Sequence, residues 1–101
     1  MADTEIVRKP KAKPRVERPK LYKVILLNDD FTPRDFVVTV LCSVFRMTED
    51  EASLVMLAAH RQGACVVAVY TREVAEMKAE EATDAGRSWG YPLAFTIERE
   101  D

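Results

Sequence analysis

The sequence predicts an α+β domain of order β-α-α-β-α-β, a small three-stranded antiparallel sheet carrying three helices. Three observations predict it. Two short apolar runs, LYKVILL at 21–27 and ACVVAVY at 64–70, have the length and β-branched content of buried strands. Helix-start signals follow, at Thr32 and again at Thr48-Glu49-Asp50-Glu51. The run from Leu93 to Arg99 alternates, with Leu93, Phe95 and Ile97 one way and Ala94, Thr96 and Glu98 the other, as in a half-buried strand. With 101 residues, 48% of them apolar, the chain has enough for one modest core.

Residues 1–19 hold three prolines and many charges and little that is apolar. Such a stretch cannot bury enough surface to offset the entropy of ordering it, so it is expected to be a flexible arm, with the folded domain over 20–101. After the first strand, Asn28 to Phe31 reads as a polar loop. Thr32 then reads as an N-cap, Pro33 as the first helical residue and Asp35 as part of a capping-box variant. The pairs Phe36/Val37, Val40/Leu41 and Val44/Phe45 recur every four residues, which marks one buried helix face. Thr48 to Glu51 is a T-x-x-E capping box with acids in the first turn. The helix it opens runs to about Gln62, and Gly63 is the expected C-cap. On it Ala52, Met56, Ala59 and His60 share one face, while Leu54 and Leu57 are expected to reach the core elsewhere. After the strand at 64–70, Thr71 caps a third helix over about Arg72 to Arg87. Trp89-Gly90-Tyr91-Pro92 is a turn into the last strand.

Composition narrows the function. No run of about 18 apolar residues exists, so no helix spans a membrane, and the charged N-terminus lacks the apolar segment of a signal peptide. The expected compartment is the cytoplasm. There Cys42 and Cys65 are expected to stay reduced, and two thiols with one histidine are too few ligands for a metal site at these spacings. The overall charge is −2, unevenly spread. Residues 1–20 carry seven Lys/Arg against three Asp/Glu, and residues 21–101 eight against fourteen. The arm lacks interleaved aromatics and the remainder is acidic, which argues against nucleic acid. No cofactor motif is present.

The chemistry concentrates where the first strand ends. Asn28, Asp29 and Asp30 put an amide and two carboxylates at the mouth of an apolar element. An acidic pair beside a helix start often does no more than suit the turn. His60, the single histidine, lies one turn beyond Met56 on an apolar face, where a satisfied structural role is common. Together, though, an Asn carbonyl, a carboxylate and a neutral imidazole nitrogen are three acceptors, matching the three donors of an ammonium group. An apolar slot beside them would read the group that carries the amine. Enzymatic readings are weaker. Ser53 has no nucleophile-elbow setting, and Asp29, Asp30 and His60 make a poor divalent-cation set. The protein is expected not to be an enzyme.

These residues resemble the ClpS family, bacterial adaptors that hand N-end-rule substrates to a Clp protease. The resemblance covers about Leu21 to Glu98. It rests on YKVILLNDDFTP (Tyr22–Pro33), ASLVMLAAHRQG (Ala52–Gly63), VYTREVAEMKA (Val69–Ala79) and PLAFTIE (Pro92–Glu98). NDDxTP with MLxxHxxG at this separation is a specific combination.

The resemblance implies roles. Asn28, Asp30 and His60 would grip the α-amino group of a substrate, Asp30 partly through water. Asp29 would lie beside the first peptide units. Leu26, Thr32, Val37, Met56, Ala59 and Leu93 would form a pocket for a first side chain of Phe, Tyr, Trp or Leu. Glu73 and Lys78 would contact the N-terminal domain of the ClpA unfoldase, and the arm would be the extension that the unfoldase engages. A monomer is the expected state. Two positions depart from the family pattern. Arg34 stands at the gate of the pocket where Met is frequent, and Ala59 where Val is usual. Both bear on side-chain preference, as in a divergent paralogue with a shifted ranking. The alternative function is a generic protein-interaction domain that has lost the pocket's task.

Overall fold

The computed structural model describes residues 18–101. Most of the expected arm therefore lies outside the described residues. The elements run β1 (Leu21–Leu27), α1 (Arg34–Phe45), α2 (Glu49–Gln62), β2 (Ala64–Thr71), α3 (Arg72–Arg87) and β3 (Ala94–Arg99). The order is the one predicted. β1 is the middle strand, flanked antiparallel by β2 and β3. Its central place explains why Val24 and Leu26 are almost wholly buried.

The sequence predicts both the first and the second strand to be covered. β2 departs from that reading, because it is an edge strand with Val66 and Val69 exposed. A register shift opposite Val24/Ile25 leaves Val67 as an extra residue, and such a bulge changes which side chains face the core. Lys23 pairs across to Glu98 at 3.5 Å, in register on β1 and β3.

The core is built from the predicted faces. α1 buries Val37, Val40, Leu41, Val44 and Phe45, with Phe36 half-buried at its start. Phe45 meets Phe95 of β3 at 5.5 Å between ring centroids. α3 buries only small residues, Ala75, Ala79, Ala82 and Gly86. That smooth stripe lets the helix lie close across all three strands. Thr83 Oγ1 accepts the Phe95 amide at 3.1 Å and ties α3 to β3.

α2 starts with the full capping box: Thr48 Oγ1 accepts the Glu51 amide at 3.1 Å, and Glu51 Oε1 accepts the Thr48 amide at 3.0 Å. It ends at Gly63, whose φ of 91° is the left-handed conformation glycine adopts without strain. Three expectations are corrected. Leu54 is not in the core but 69% exposed, because α2 buries only the narrow stripe of Ala52 and Ala59. Thr71 stands at the N-cap of α3 but its side chain makes no cap bond. Thr32 is not the N-cap of α1. Pro33 holds that position with extended backbone, and the helix starts at Arg34.

Among the described residues both cysteines are free and half-buried. Burial pushes the Cys65 thiol up, away from the reactive thiolate. No helix among the described residues is long and apolar enough to cross a membrane.

Candidate functional site

Asp29 explains both the missing cap and the shape of the loop. Its Oδ1 accepts the backbone amides of Phe31 (2.9 Å) and Thr32 (2.7 Å), and its Oδ2 accepts the Thr32 hydroxyl (3.0 Å). This is an Asx turn extended by one residue. The Thr32 hydroxyl that could have capped α1 instead donates backwards to Asp29. Asp29 is thus an organiser of the loop, with much of its acceptor capacity already used.

A second bond sets the other wall. The Asn28 amide donates to the Gly63 carbonyl at 3.0 Å, so the end of β1 is held against the end of α2. Gly63 itself donates to Ala59 O at 2.8 Å. His60, in the last turn of α2, is thereby brought beside the loop although 30 positions separate it from Asp30.

The two walls enclose one open cavity of about 280 Å³. Asn28, Asp30 and His60 line it, and all three side chains are solvent-accessible. Leu26, Val37, Met56, Ala59 and Leu93 supply its apolar surface, and Thr32 and Asp29 join the two parts. Every pocket residue expected from the sequence is here, Arg34 included. Arg34 is the only cation among the lining residues and is exposed at the rim. Three further lining residues went unassigned, Leu27, Phe31 and Pro33. Phe31 is 81% exposed. A large apolar residue between polar loop positions was the signal that could have found it.

Leu93 has a supporting residue behind it. A Cβ placed on Gly86 would fall 2.7 Å from Leu93 Cβ, so only glycine lets α3 back the pocket this closely. The turn that carries the chain from α3 to Leu93 is closed by the Trp89 and Tyr91 amides on Gly86 O.

Glu73 and Lys78 lie away from this cavity on α3. Glu73 is exposed in its first turn. Lys78 is half-buried, and its ammonium donates to Val44 O at 2.9 Å, at the C-terminal end of α1. The resemblance implies a docking role for it; within the domain it satisfies a helix-end carbonyl, where the dipole favours a cation. No group of three or more His, Cys, Asp or Glu among the described residues could hold a metal ion.

In this small α+β domain the cavity sets polar acceptors, Asn28, Asp30 and His60, beside apolar walls. The family described as "ATP-dependent Clp protease adaptor protein ClpS" matches residues 17–96. The chain belongs to the ClpS family of Clp protease adaptors. It is 64% identical over 99 residues to the ATP-dependent Clp protease adapter protein ClpS 2 of Mesorhizobium japonicum, covering 96% of this chain and 98% of that one. It is 67% identical over 93 residues to the adapter protein ClpS 1 of Rhodopseudomonas palustris, covering 92% and 90%. The solved structure of Agrobacterium tumefaciens ClpS2 bound to L-phenylalaninamide superposes with a TM-score of 0.81 and 61% identity, over 82% of this chain and all of that one.

Proposed function

We propose that this adaptor recognises proteins by a free N-terminal Phe, Tyr, Trp or Leu and delivers them to the ClpA unfoldase of the Clp protease. The observation that carries the reading is one cavity in which Asn28, Asp30 and His60 stand beside Leu26, Val37, Met56, Ala59 and Leu93. The ligand of the Agrobacterium relative supports it chemically. Phenylalaninamide keeps a free α-amine and an aromatic side chain while its carboxyl is an amide, so it stands for the first residue of a chain.

The α-amine, with a pKa near 8, is mostly charged at neutral pH. Asn28, Asp30 and His60 accept its three donors. An acetylated or internal residue offers one neutral N–H and leaves acceptors unpaired, at about 1–3 kcal/mol each. Burial of a Leu or Phe side chain in the slot adds roughly 1.5–3 kcal/mol. Neither contribution makes a tight site alone, so the pair selects for both features at once. Asp29 positions Thr32 and the loop, which leaves Asp30 for the ligand. Arg34 and Ala59 reshape the gate and widen the slot, so the ranking of first residues shifts as in a divergent paralogue. Glu73 is the exposed member of the docking pair for ClpA, and the arm at 1–19 is the segment the unfoldase engages.

The test is fluorescence anisotropy of a labelled peptide beginning with Phe, run beside its Nα-acetylated twin. The free amine is expected to bind and the acetylated form to fail, with Asn28→Ala and His60→Ala each weakening the free peptide about tenfold. Equal binding of the twins, or no binding with Phe, Leu, Tyr and Trp in turn, would overturn the reading in favour of a domain that binds partners by another surface.

A further inference from the structure

A second depression, about 310 Å³, lies between the first turns of α1 and the turn after α3. Its walls are aromatic. Phe36 stands edge-on to Tyr91 at 4.9 Å and to Trp89 at 6.4 Å between ring centroids. Trp89 is the single tryptophan of the chain and is 71% exposed. Asp35 lines the same groove. One of its carboxylate oxygens takes the Phe36 amide at 3.0 Å, and among the described residues it has no ion-pair partner. Pro33 borders both this groove and the first cavity.

An aromatic groove with an acid beside it suits an extended segment of prolines and cations. Proline packs on aromatic rings in a backbone form that is already extended, so little entropy is lost on docking. Lys and Arg gain from ring faces as well as from the carboxylate. This chain carries such a segment. Residues 8–15, RKPKAKPR, hold five cations, two prolines and no acid. They lie outside the described residues and end three positions before Arg18. The groove sits by the end of β1 marked by Leu27, since β3 begins there in register. From Leu21 that is about 20 Å along the strand. The ten residue steps from Pro10 to Lys20 reach about 30 Å as an extended proline-type helix. Lys13 and the residues before it therefore span the distance, and the tether holds them near at millimolar effective concentration.

We infer that residues 8–15 dock in the groove of Phe36, Trp89 and Tyr91 on the same chain, with a Lys or Arg against Asp35. This does not depend on what the first cavity binds. A docked segment lies against Pro33, on the border of that cavity.

Trp89 reports on the groove without a label. The full chain is compared with a full-length variant carrying Lys9→Glu, Lys11→Glu, Lys13→Glu and Arg15→Glu, which changes nothing in the described fold; circular dichroism checks that both are folded. Acrylamide quenching of Trp89 at low salt is expected to be roughly twofold stronger in the variant, because the tethered segment no longer shields the ring. Raising salt to about 0.5 M is expected to bring the unaltered chain towards the variant by screening Asp35 from the cations. Equal quenching of the two proteins at low salt would overturn the inference. So would a difference that vanishes on about hundredfold dilution, since that would assign the groove to the segment of a second copy.

Discussion

The starts of α1 and α2 are built from similar letters and solve the same problem differently. Thr32-Pro33-Arg34-Asp35 and Thr48-Glu49-Asp50-Glu51 both offer a hydroxyl followed three positions later by an acid. At Thr48 the capping box closes, with two reciprocal bonds of 3.1 and 3.0 Å. At Thr32 the hydroxyl donates to Asp29 instead, and α1 begins without a side-chain cap. The difference tracks position. α2 starts in a plain connection, where local stability is all that acts. α1 starts at the cavity, beside a loop that leaves Asn28 and Asp30 exposed in its lining. Local rules give way where a site imposes its own geometry.

The largest effect expected from this contrast is at Asp29. Asp29→Ala removes three accepted bonds from a half-buried loop and is expected to lower stability by about 2–4 kcal/mol in urea unfolding. The same variant is expected to lose at least about tenfold in affinity for a Phe-first peptide, because Asn28 and Asp30 lose their placement. Lost affinity with unchanged stability would mean that Asp29 acts on the ligand and not on the loop. Thr48→Ala sharpens the contrast from the other side. It is expected to cost about 1 kcal/mol of stability and to leave peptide affinity unchanged. Thr71→Ala, at the start of α3, is expected to change stability by less than about 0.5 kcal/mol, since that side chain makes no cap bond. A cost near that of Thr48→Ala would show that Thr71 caps in solution.

The same contrast marks what could be read from the sequence. The elements were legible because strand length, helix period and the capping box at Thr48 agree locally. The lining of the candidate site was largely legible too, since the cavity gathers Asn28, Asp30, His60 and the expected apolar residues. What escaped depended on partners that spacing does not reveal. Thr32 looked like a cap because the competing acceptor, Asp29, lies behind it; an Asp three positions before a Thr in a loop is the trace of that Asx turn. Leu54 looked like core, yet at roughly 100° per residue it falls opposite the stripe of Ala52 and Ala59. The edge position of β2 follows from the strand order, and no residue of ACVVAVY declares it. The tie from Lys78 to Val44 O was not legible, because that partner is a backbone atom 34 positions away.

Gly86 has a consequence beyond packing. It is a spacer between α3 and Leu93, and Leu93 is one wall of the cavity. The capacity of the slot is therefore adjustable from behind, by a residue no ligand would meet. A larger residue at 86 has to push Leu93 forward, and a smaller one at 93 frees room for it. Inheritance can then alter the room in the cavity while the other lining residues stay the same. A library aimed at new preferences gains more from varying 86 and 93 together than from either position alone.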